Sequence, residues 1–452
     1  MKVLSFFRIF GFIGVACFAT QGAAASVSRA DITTWLNQVV TMDPPAAGTV
    51  VTDTNLDLVR PFMPPGYVEE FSYAGSSITI QETKKYPLFK AYQDATNKYA
   101  GQPTLGAGGE LEDYQAGQPF SNEQIAAASS EHAGLMVAWN NIYRWQFTGY
   151  QVSKLAMTYI DQGDGKNGKK ESSYGIEGDG RIERRVIQEF HRVYLSNLAM
   201  LPKDDYKMKV PSAADKYFKD YIEFSDPFDI AGMKFVVERA QDAHADDQVN
   251  VYSPTERRVR RYSAKERSDS FMGSEVTLDD FDGFAGRVLD YQWDYLGTKK
   301  VLDVIDTEGE PIRFGGPYSR AIIDRWQLRN CHVVEVKSTW DGHPYKSKII
   351  FIDDETFDIA NALVFNQKDE LWKIFDAMYR SPKIGETEAE KSVVSWRGQS
   401  NINLITNRAT LVHAMSDTIH PTMKPSKIKR LFSVSSLTLS LIHISEPTRR
   451  TP

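Results

Sequence analysis

The densest charge in the sequence is a short run of arginines. Arg257, Arg258, Arg260 and Arg261 surround Val259. Alternate residues of a β-strand share a face, so each face of such a strand would carry two of the four guanidinium groups. A buried guanidinium group needs a carboxylate partner, so at least one face must be solvated or paired. The run is either a solvated, salt-bridged face or a surface that docks on lipid phosphates or an acidic protein.

Sequence patterns of established catalytic chemistry are absent. The chain contains no Gly-x-Ser-x-Gly, no His-Glu-x-x-His and no Cys-x-x-Cys, and its histidines are not paired at metal-ligand spacing. The glycine-rich stretch at 106–109 has no strand before it and no helix after it, which predicts a turn instead of a phosphate loop. We therefore expect no enzyme, no metal and no cofactor. An enzyme that acts on envelope lipids or glycans remains an alternative, ranked third after the two non-enzymatic functions given below.

Apolar and aromatic side chains suggest where a ligand could lie. Residues 349–352 and 363–365 are continuously apolar, which indicates strands that are covered on both faces. The side chains that cover these strands form either ordinary core or the lining of a ligand cavity. The alternating aromatic residues of 291–295 could likewise belong to the core or line a cavity. The predicted lining residues are Tyr291, Trp293, Tyr295, Ile350, Phe365 and Trp372.

The first residues have the form of an export signal. Lys2 and Arg8 precede an apolar run over 9–19 and a group of small residues, which predicts a signal peptide over 1–25. The run is about half the ~20 residues that a spanning helix needs. Cys17 leaves open a lipoprotein signal as the alternative. Export without a membrane span predicts a periplasmic protein, free or associated with the outer membrane.

The remaining composition is that of a folded, mildly acidic chain. Its 452 residues are 42% hydrophobic and carry a formal net charge of −6, which argues against binding to nucleic acid. If Cys17 is removed with the signal, Cys331 is the only cysteine left and no internal disulfide can form. Residues 439–449 read like a translated sequencing adapter, so 439–452 are set aside as a probable artefact.

Apolar periodicity predicts a few helices followed by many strands. Helices are expected over 28–40 and 134–147, a strand over 77–80, and either type over 181–201. Four-residue turns then separate short strands, as antiparallel hairpins require. These strands are predicted over 217–224, 233–239, 249–252, 257–262, 287–295, 331–339, 347–352, 360–365, 371–375, 391–396 and 410–412. The order of elements predicts an α+β fold with one large antiparallel sheet.

Several stretches resemble known proteins. Residues 246–254, 257–262, 268–275 and 345–372 resemble the outer-membrane-lipoprotein-sorting group. Tyr86 with 95–96, then 113–120, and then 133–135 with 139–140 resemble one branch of that group, the domain of unknown function 1329. The resemblance spans roughly residues 50 to 438.

This resemblance implies a fold like that of the periplasmic lipoprotein carrier LolA and its receptor LolB. That fold is a strongly curved antiparallel sheet, an incomplete barrel, with helices on its concave face and a hydrophobic cavity between them. Relatives are often encoded beside exporters and outer-membrane proteins, which suggests hydrophobic cargo. No catalytic residue is implied.

Together these observations predict one LolA/LolB-like domain over 26–438, with an N-terminal extension (about 26–150) and a β-rich half (about 215–438). The expected function is a periplasmic carrier of a lipid or a lipoprotein acyl chain. The alternative is an adaptor without cargo, which would dock on an exporter or outer-membrane protein through the arginine run.

Overall fold

The computed structural model describes residues 27–86, 88–161, 170–201, 205–263, 265–381 and 393–438. The predicted signal peptide and the adapter-like tail lie outside these residues. Within the described ranges, no helix combines the length and the apolar character that crossing a membrane requires.

Local sequence signals set the helix ends. The helices are α1 Arg29–Asn37, α2 Lys90–Tyr99, α3 Asn122–Ala127, α4 Ser130–Ile142 and α5 Pro425–Leu431. Ser28 and Asp31 form a capping box at the start of α1. Ser129 accepts a hydrogen bond from the backbone of His132 and so caps α4. The helix predicted over 134–147 is therefore α4, which begins about four residues earlier than predicted.

Most of the chain forms strands. The strands are β1 Val50–Val51, β2 Ile78–Ile80, β3 Thr104–Leu105, β4 Leu111–Glu112, β5 Gly149–Asp161, β6 Arg181–Tyr194, β7 Lys216–Asp226, β8 Lys234–Ala240, β9 Gln248–Ser253, β10 Arg258–Tyr262, β11 Tyr291–Asp303, β12 Phe314–Gly315, β13 Ala321–Ile322, β14 Arg325–Ser338, β15 Ser347–Asp353, β16 Ile359–Phe365, β17 Leu371–Arg380, β18 Ser395–Asn403, β19 Arg408–Ala414 and β20 Thr418–Ile419.

One large, mostly antiparallel sheet contains most of these strands. From β14 the order runs through β15, β16, β17, β18, β19, β5, β6, β7, β8 and β9 to β10. The other side of β14 pairs antiparallel with β11 and, over its first two residues, parallel with β2. Among the described residues β10 pairs only with β9, so the sheet does not close on itself. The predicted α+β fold with an incomplete barrel is confirmed.

The sheet begins earlier in the sequence than predicted. The ambiguous stretch at 181–201 forms the long strand β6, and β5 was not predicted at all. Both strands join the sheet, so its long antiparallel strands start at Gly149 and not near residue 215. The strand predicted over 287–295 starts only at Tyr291, because Val288–Asp290 form a short 3-10 helix.

Cores cover both faces of the sheet, as the continuous apolar runs predicted. Ile350 and Ile352 lie in one core with α4 and Trp293, and we call this side the inner face. Ile349 and Phe351 point to the opposite, outer face, into a core shared with residues 27–80. Alternate residues along one strand thus serve two cores.

Residues 266–290, which we call the cover segment, lie over the inner face beside α4. They contain short 3-10 helices separated by turns, including Leu278–Gly283. Buried lysines of the sheet hold the segment by its backbone: Lys348 Nζ donates to Gly283 O at 2.6 Å and Lys373 Nζ to Glu275 O at 2.9 Å. Lys348 also donates to the Asp280 carboxylate at 2.7 Å, so its charge is paired.

Candidate functional site

A pocket lies between the sheet and the cover segment. Its empty space, counted out to the open mouth, is about 590 Å³. The lining side chains of the sheet come from β5, β6, β7, β8 and β19, and they are Met157, Gln188, Phe190, Arg192, Phe218, Asp220, Ile222, Val237 and Val412. The cover segment supplies Arg267, Phe271, Val276, Thr277, Leu278, Phe281 and Ala285.

Strand periodicity explains why these particular residues meet. Residues 188, 190 and 192 are alternate positions of β6, and 218, 220 and 222 are alternate positions of β7, so each set shares the inner face. The register pairs Phe190 with Ile222 and Arg192 with Asp220 directly across the two strands. Apolar walls and one charged pair are therefore built into neighbouring rungs of the sheet.

The charged pair forms a closed unit in the pocket wall. Arg192 donates through Nε and Nη2 to the two oxygens of the Asp220 carboxylate, at 2.6 and 2.7 Å. Its guanidinium carbon lies 4.1 Å from the centre of the Phe218 ring. Burial by itself would lower the pKa of Arg192, but the Asp220 carboxylate raises it well above its usual value. Arg192 therefore keeps its positive charge at neutral pH.

Gln188 is the polar group of the pocket whose bonding is incomplete. Its side chain is 2% exposed, and Oε1 has no hydrogen-bond partner among the described residues. A buried acceptor without a donor costs about 1–3 kcal/mol. A donor group of a bound molecule or an ordered water would remove this cost, so the pocket can take a ligand that is apolar with one hydroxyl or amide.

A second set of buried ion pairs fixes the cover segment over the pocket. Arg267 donates through Nε to Asp279 at 2.8 Å, and its Nη1 lies 3.2 Å from the Asp247 carboxylate. Arg239 of β8 binds the same carboxylate at 2.7 Å and donates to Ala285 O at 2.6 Å. Burial would raise the pKa of Asp247, but the two guanidinium groups together lower it. Arg267 of the cover segment and Arg239 of the sheet thus bind the same carboxylate, that of Asp247.

Three of the predicted lining residues lie on β11 beside α4, away from this pocket. Trp293 is buried under α4 and donates Nε1 to Val288 O at 2.9 Å. Tyr291 lines a smaller pocket, of about 330 Å³, with His343. The Tyr295 hydroxyl lies 3.1 Å from Nδ1 of His332. These aromatics serve mainly to join β11 to its neighbours.

The other three predicted lining residues do not share one face. Ile350 is fully buried in the inner core. Phe365 lies in the outer core, where Arg29 covers its ring at 4.3 Å from the centre, so it cannot line a cavity on the inner face. Trp372 is half-buried, with its ring edge-on to Tyr345 at 5.6 Å. None of the six predicted residues lines the pocket between the sheet and the cover segment.

The arginine run lies at the exposed edge of the sheet. Arg257 occupies the turn before β10, and Arg258, Arg260 and Arg261 lie on β10; all four side chains are exposed. Among the described residues, the run forms one ion pair, between Arg260 and Glu256 at 2.7 Å. The run is therefore a solvated cationic edge, and not part of the pocket wall.

Comparison with known proteins identifies a family and several similar proteins. Residues 50–438 match the family described as "Protein of unknown function (DUF1329)". An uncharacterized protein of Pseudomonas aeruginosa, PA3922, is 25% identical over 351 residues, which cover 72% of this chain and 68% of that protein.

Two solved structures are also similar. A DUF1329 family protein from Desulfovibrio piger has 16% identity and a TM-score of 0.46, and covers 69% of this chain and 100% of its own. The LolA superfamily protein NE2245 from Nitrosomonas europaea has 12% identity and a TM-score of 0.35, and covers 66% of this chain and 97% of its own. Because the family match extends over most of the sequence, the chain belongs to the DUF1329 family.

Proposed function

We propose that this protein is a carrier that binds one hydrophobic or amphiphilic molecule in the pocket between the sheet and the cover segment. The pocket itself supports this proposal: its walls are mainly apolar side chains, and one buried acceptor has no donor among the described residues. Pockets for small ligands are commonly apolar with a few placed polar groups. The cargo is a lipid or an acyl chain, with a hydroxyl or amide beside Gln188.

Affinity would come from burial of alkyl surface. Each buried CH₂ of the cargo contributes about 0.8 kcal/mol before the cost of ordering is subtracted. The aromatic rings of Phe190, Phe271 and Phe281 provide large apolar contacts on both sides of the pocket. The Arg192–Asp220 pair is already satisfied internally, so it orients a polar headgroup without demanding a charged one.

The periplasm is the compartment that we propose for this carrier. The basic and then apolar N-terminal residues have the pattern of a cleavable signal. A carrier between two membranes needs to shelter its cargo from water, and a pocket under a cover segment meets that need.

Binding of a fluorescent fatty acid to two matched variants tests the proposal. Val237 lines the pocket, whereas its neighbour Val236 is buried on the opposite face of the same strand. Val237→Phe should fill the pocket and weaken binding at least about tenfold, which corresponds to about 1.4 kcal/mol. Val236→Phe adds the same volume elsewhere and should bind like the unchanged protein. Equal binding by both variants, or no binding by the unchanged protein, would contradict a carrier function.

The exposed arginine edge favours a second candidate function, that of an adaptor. An edge strand offers free backbone groups, and here four exposed guanidinium groups lie on or next to it. Among the described residues, Arg260 is the one of the four that forms an ion pair, with Glu256. Such an edge fits an anionic surface, either lipid phosphates or an acidic protein. Replacement of Arg258 and Arg260 by Glu should abolish sedimentation with vesicles of anionic lipid at low salt, while Lys300→Glu on the far strand β11 should not. Unchanged sedimentation of the Arg variant would exclude docking of this strand on lipid.

A further inference from the structure

Ser395 and His420 form a hydrogen-bonded pair that the sequence patterns did not reveal. The Ser395 hydroxyl lies 2.5 Å from Nε2 of His420. Ser395 begins β18, and His420 follows β20, which pairs with β5. The two residues are 25 positions apart, so only the tertiary fold brings them together.

The backbone fixes which nitrogen of His420 carries its proton. Nδ1 lies 3.2 Å from the carbonyl oxygen of Gly149, the first residue of β5. A carbonyl oxygen can only accept, so Nδ1 holds the proton and Nε2 of the neutral ring has a free electron pair. The Ser395 hydroxyl therefore donates to Nε2. A nucleophile, a base and a group that orients the base are thus arranged in series, as nucleophilic catalysis requires.

Beside this pair lies a second cavity, separate from the proposed cargo pocket. It has about 260 Å³ of empty space up to its mouth, and both Ser395 and His420 line it. Arg144 closes one side through ion pairs to Asp358 at 2.7 Å and to Asp282 at 2.5 Å. The charges of this wall are therefore paired with each other, which leaves the serine and histidine as the reactive pair of the cavity.

Two further residues that line the cavity carry hydrogen-bond donors without partners. The Tyr150 hydroxyl and the Trp396 indole N–H are both buried, and neither has a partner among the described residues. Tyr150 and Trp396 are 6% and 5% exposed, so water does not readily satisfy them. Unpaired donors next to a nucleophile are suited to the negative oxygen that forms when a carbonyl is attacked.

Aromatic rings separate this cavity from the cargo pocket. Phe190 and Phe281 line the pocket, and their ring centres are 5.0 Å apart. Tyr150 stacks on Phe190 at 5.3 Å, and Trp396 contacts Phe281 at 5.1 Å. One layer of rings thus lies between the apolar pocket and Ser395, so the two spaces are separate and an ester must reach Ser395 from the side of the cavity.

We propose that Ser395 and His420 are the nucleophile and the base of an esterase site that cleaves carboxylic esters of acyl chains. Ser395 Oγ attacks the ester carbonyl carbon and passes its proton to His420 Nε2. The C–O bond to the alcohol then breaks, and the alcohol leaves with the proton from His420. Water, deprotonated by His420, attacks the carbonyl carbon of the acyl-serine. The bond from that carbon to Ser395 Oγ breaks, a carboxylic acid is released, and Oγ takes the proton back from His420.

An alkyl fluorophosphonate tests this assignment on the full chain, because it forms a stable bond to an activated serine with loss of fluoride. Mass spectrometry of the digested protein should find the label on Ser395. Ser395→Ala should lose it, and His420→Gln should react at least about 10²-fold more slowly, since glutamine keeps a hydrogen bond but is not a base. Ser400→Ala is the matched control: Ser400 is buried on the same strand, its Oγ has no partner among the described residues, and its loss should change nothing.

Hydrolysis of p-nitrophenyl octanoate provides a second measurement that does not depend on the inhibitor. The folded protein should hydrolyse it, and Ser395→Ala should lose about 10²-fold or more in kcat/KM with an unchanged melting temperature. A folded, unchanged protein that is not labelled at Ser395, or labelling that is equally fast in His420→Gln, would overturn the proposal.

Discussion

A buried carboxyl group, Asp303, makes the stability of the fold depend on pH in a direction opposite to that of most acidic residues. Asp303 is the last residue of β11 and is 2% exposed, and its Oδ1 has no hydrogen-bond partner among the described residues. Burial, helped by the negative charge of Asp353, raises its pKa from 3.8 to about 8, against the opposing effect of Arg329. The folded protein therefore holds a proton here that the unfolded chain releases.

The sign and the size of the effect follow from linkage. Between pH 4 and 8 the folded state binds more protons at Asp303 than the unfolded state does, so this group makes the folding free energy less favourable as the pH rises. A difference of about four pH units, at about 1.4 kcal/mol each, gives at most about 6 kcal/mol at pH 8, and any entry of water near the carboxyl reduces it. Below pH 4 both states are protonated and the effect vanishes.

Asp303→Asn removes this titration while it keeps the shape of the protonated acid. In urea unfolding, the variant should be about as stable as the unchanged protein at pH 4.5 and more stable by several kcal/mol at pH 8. Asp294→Asn on the same strand is the control, because its ion pair with Lys337 is partly exposed and its loss should cost less than about 1 kcal/mol at either pH. The same pH dependence of stability in Asp303→Asn and in the unchanged protein would refute the raised pKa of Asp303.

Two other substitutions test how the inner face is built. Gly134→Ala should destabilise the fold by about 1–3 kcal/mol in urea unfolding, because a Cβ atom would lie 2.7 Å from the carbonyl oxygen of Trp293; unchanged stability would mean that α4 is not in close contact with β11. Asp220→Ala should cost about 3–5 kcal/mol because it leaves Arg192 buried without its partner, whereas Glu183→Ala, which breaks a partly exposed ion pair, should cost at most about 1 kcal/mol. Equal losses in these two variants would show that the pocket pair is solvated.

The parts of the fold predicted correctly from the sequence are those that local signals determine. Polar turns at 341–344, 353–356 and 366–369 separate apolar runs, and the meander β14 to β17 follows them. The missed strand β5 has mixed polar and apolar residues without a clear period, and its long pairing with β6 is what makes it a strand. The structure of residues 149–161 is therefore determined by pairing with a distant strand and not by the local sequence.

The site could not be predicted because it depends on register. Register shifts lie between Phe351 and Ile352 and between Val364 and Phe365, so simple alternation does not tell which runs share a face. Phe365 pairs with Ser347, three residues from Ile350 along β15, so Phe365 lies in the outer core and Ile350 in the inner one. An ambiguous helix or strand at 181–201 likewise hid the pairing of β6 with β7, which builds the pocket wall.

Native mass spectrometry of the full chain, purified from its own cells without detergent, tests the carrier function most directly. We expect a complex with one lipid-sized molecule per chain, and loss of that added mass in Val237→Phe but not in Val236→Phe. A spectrum that shows only the mass of the polypeptide, for protein that is folded and freshly isolated, would contradict it.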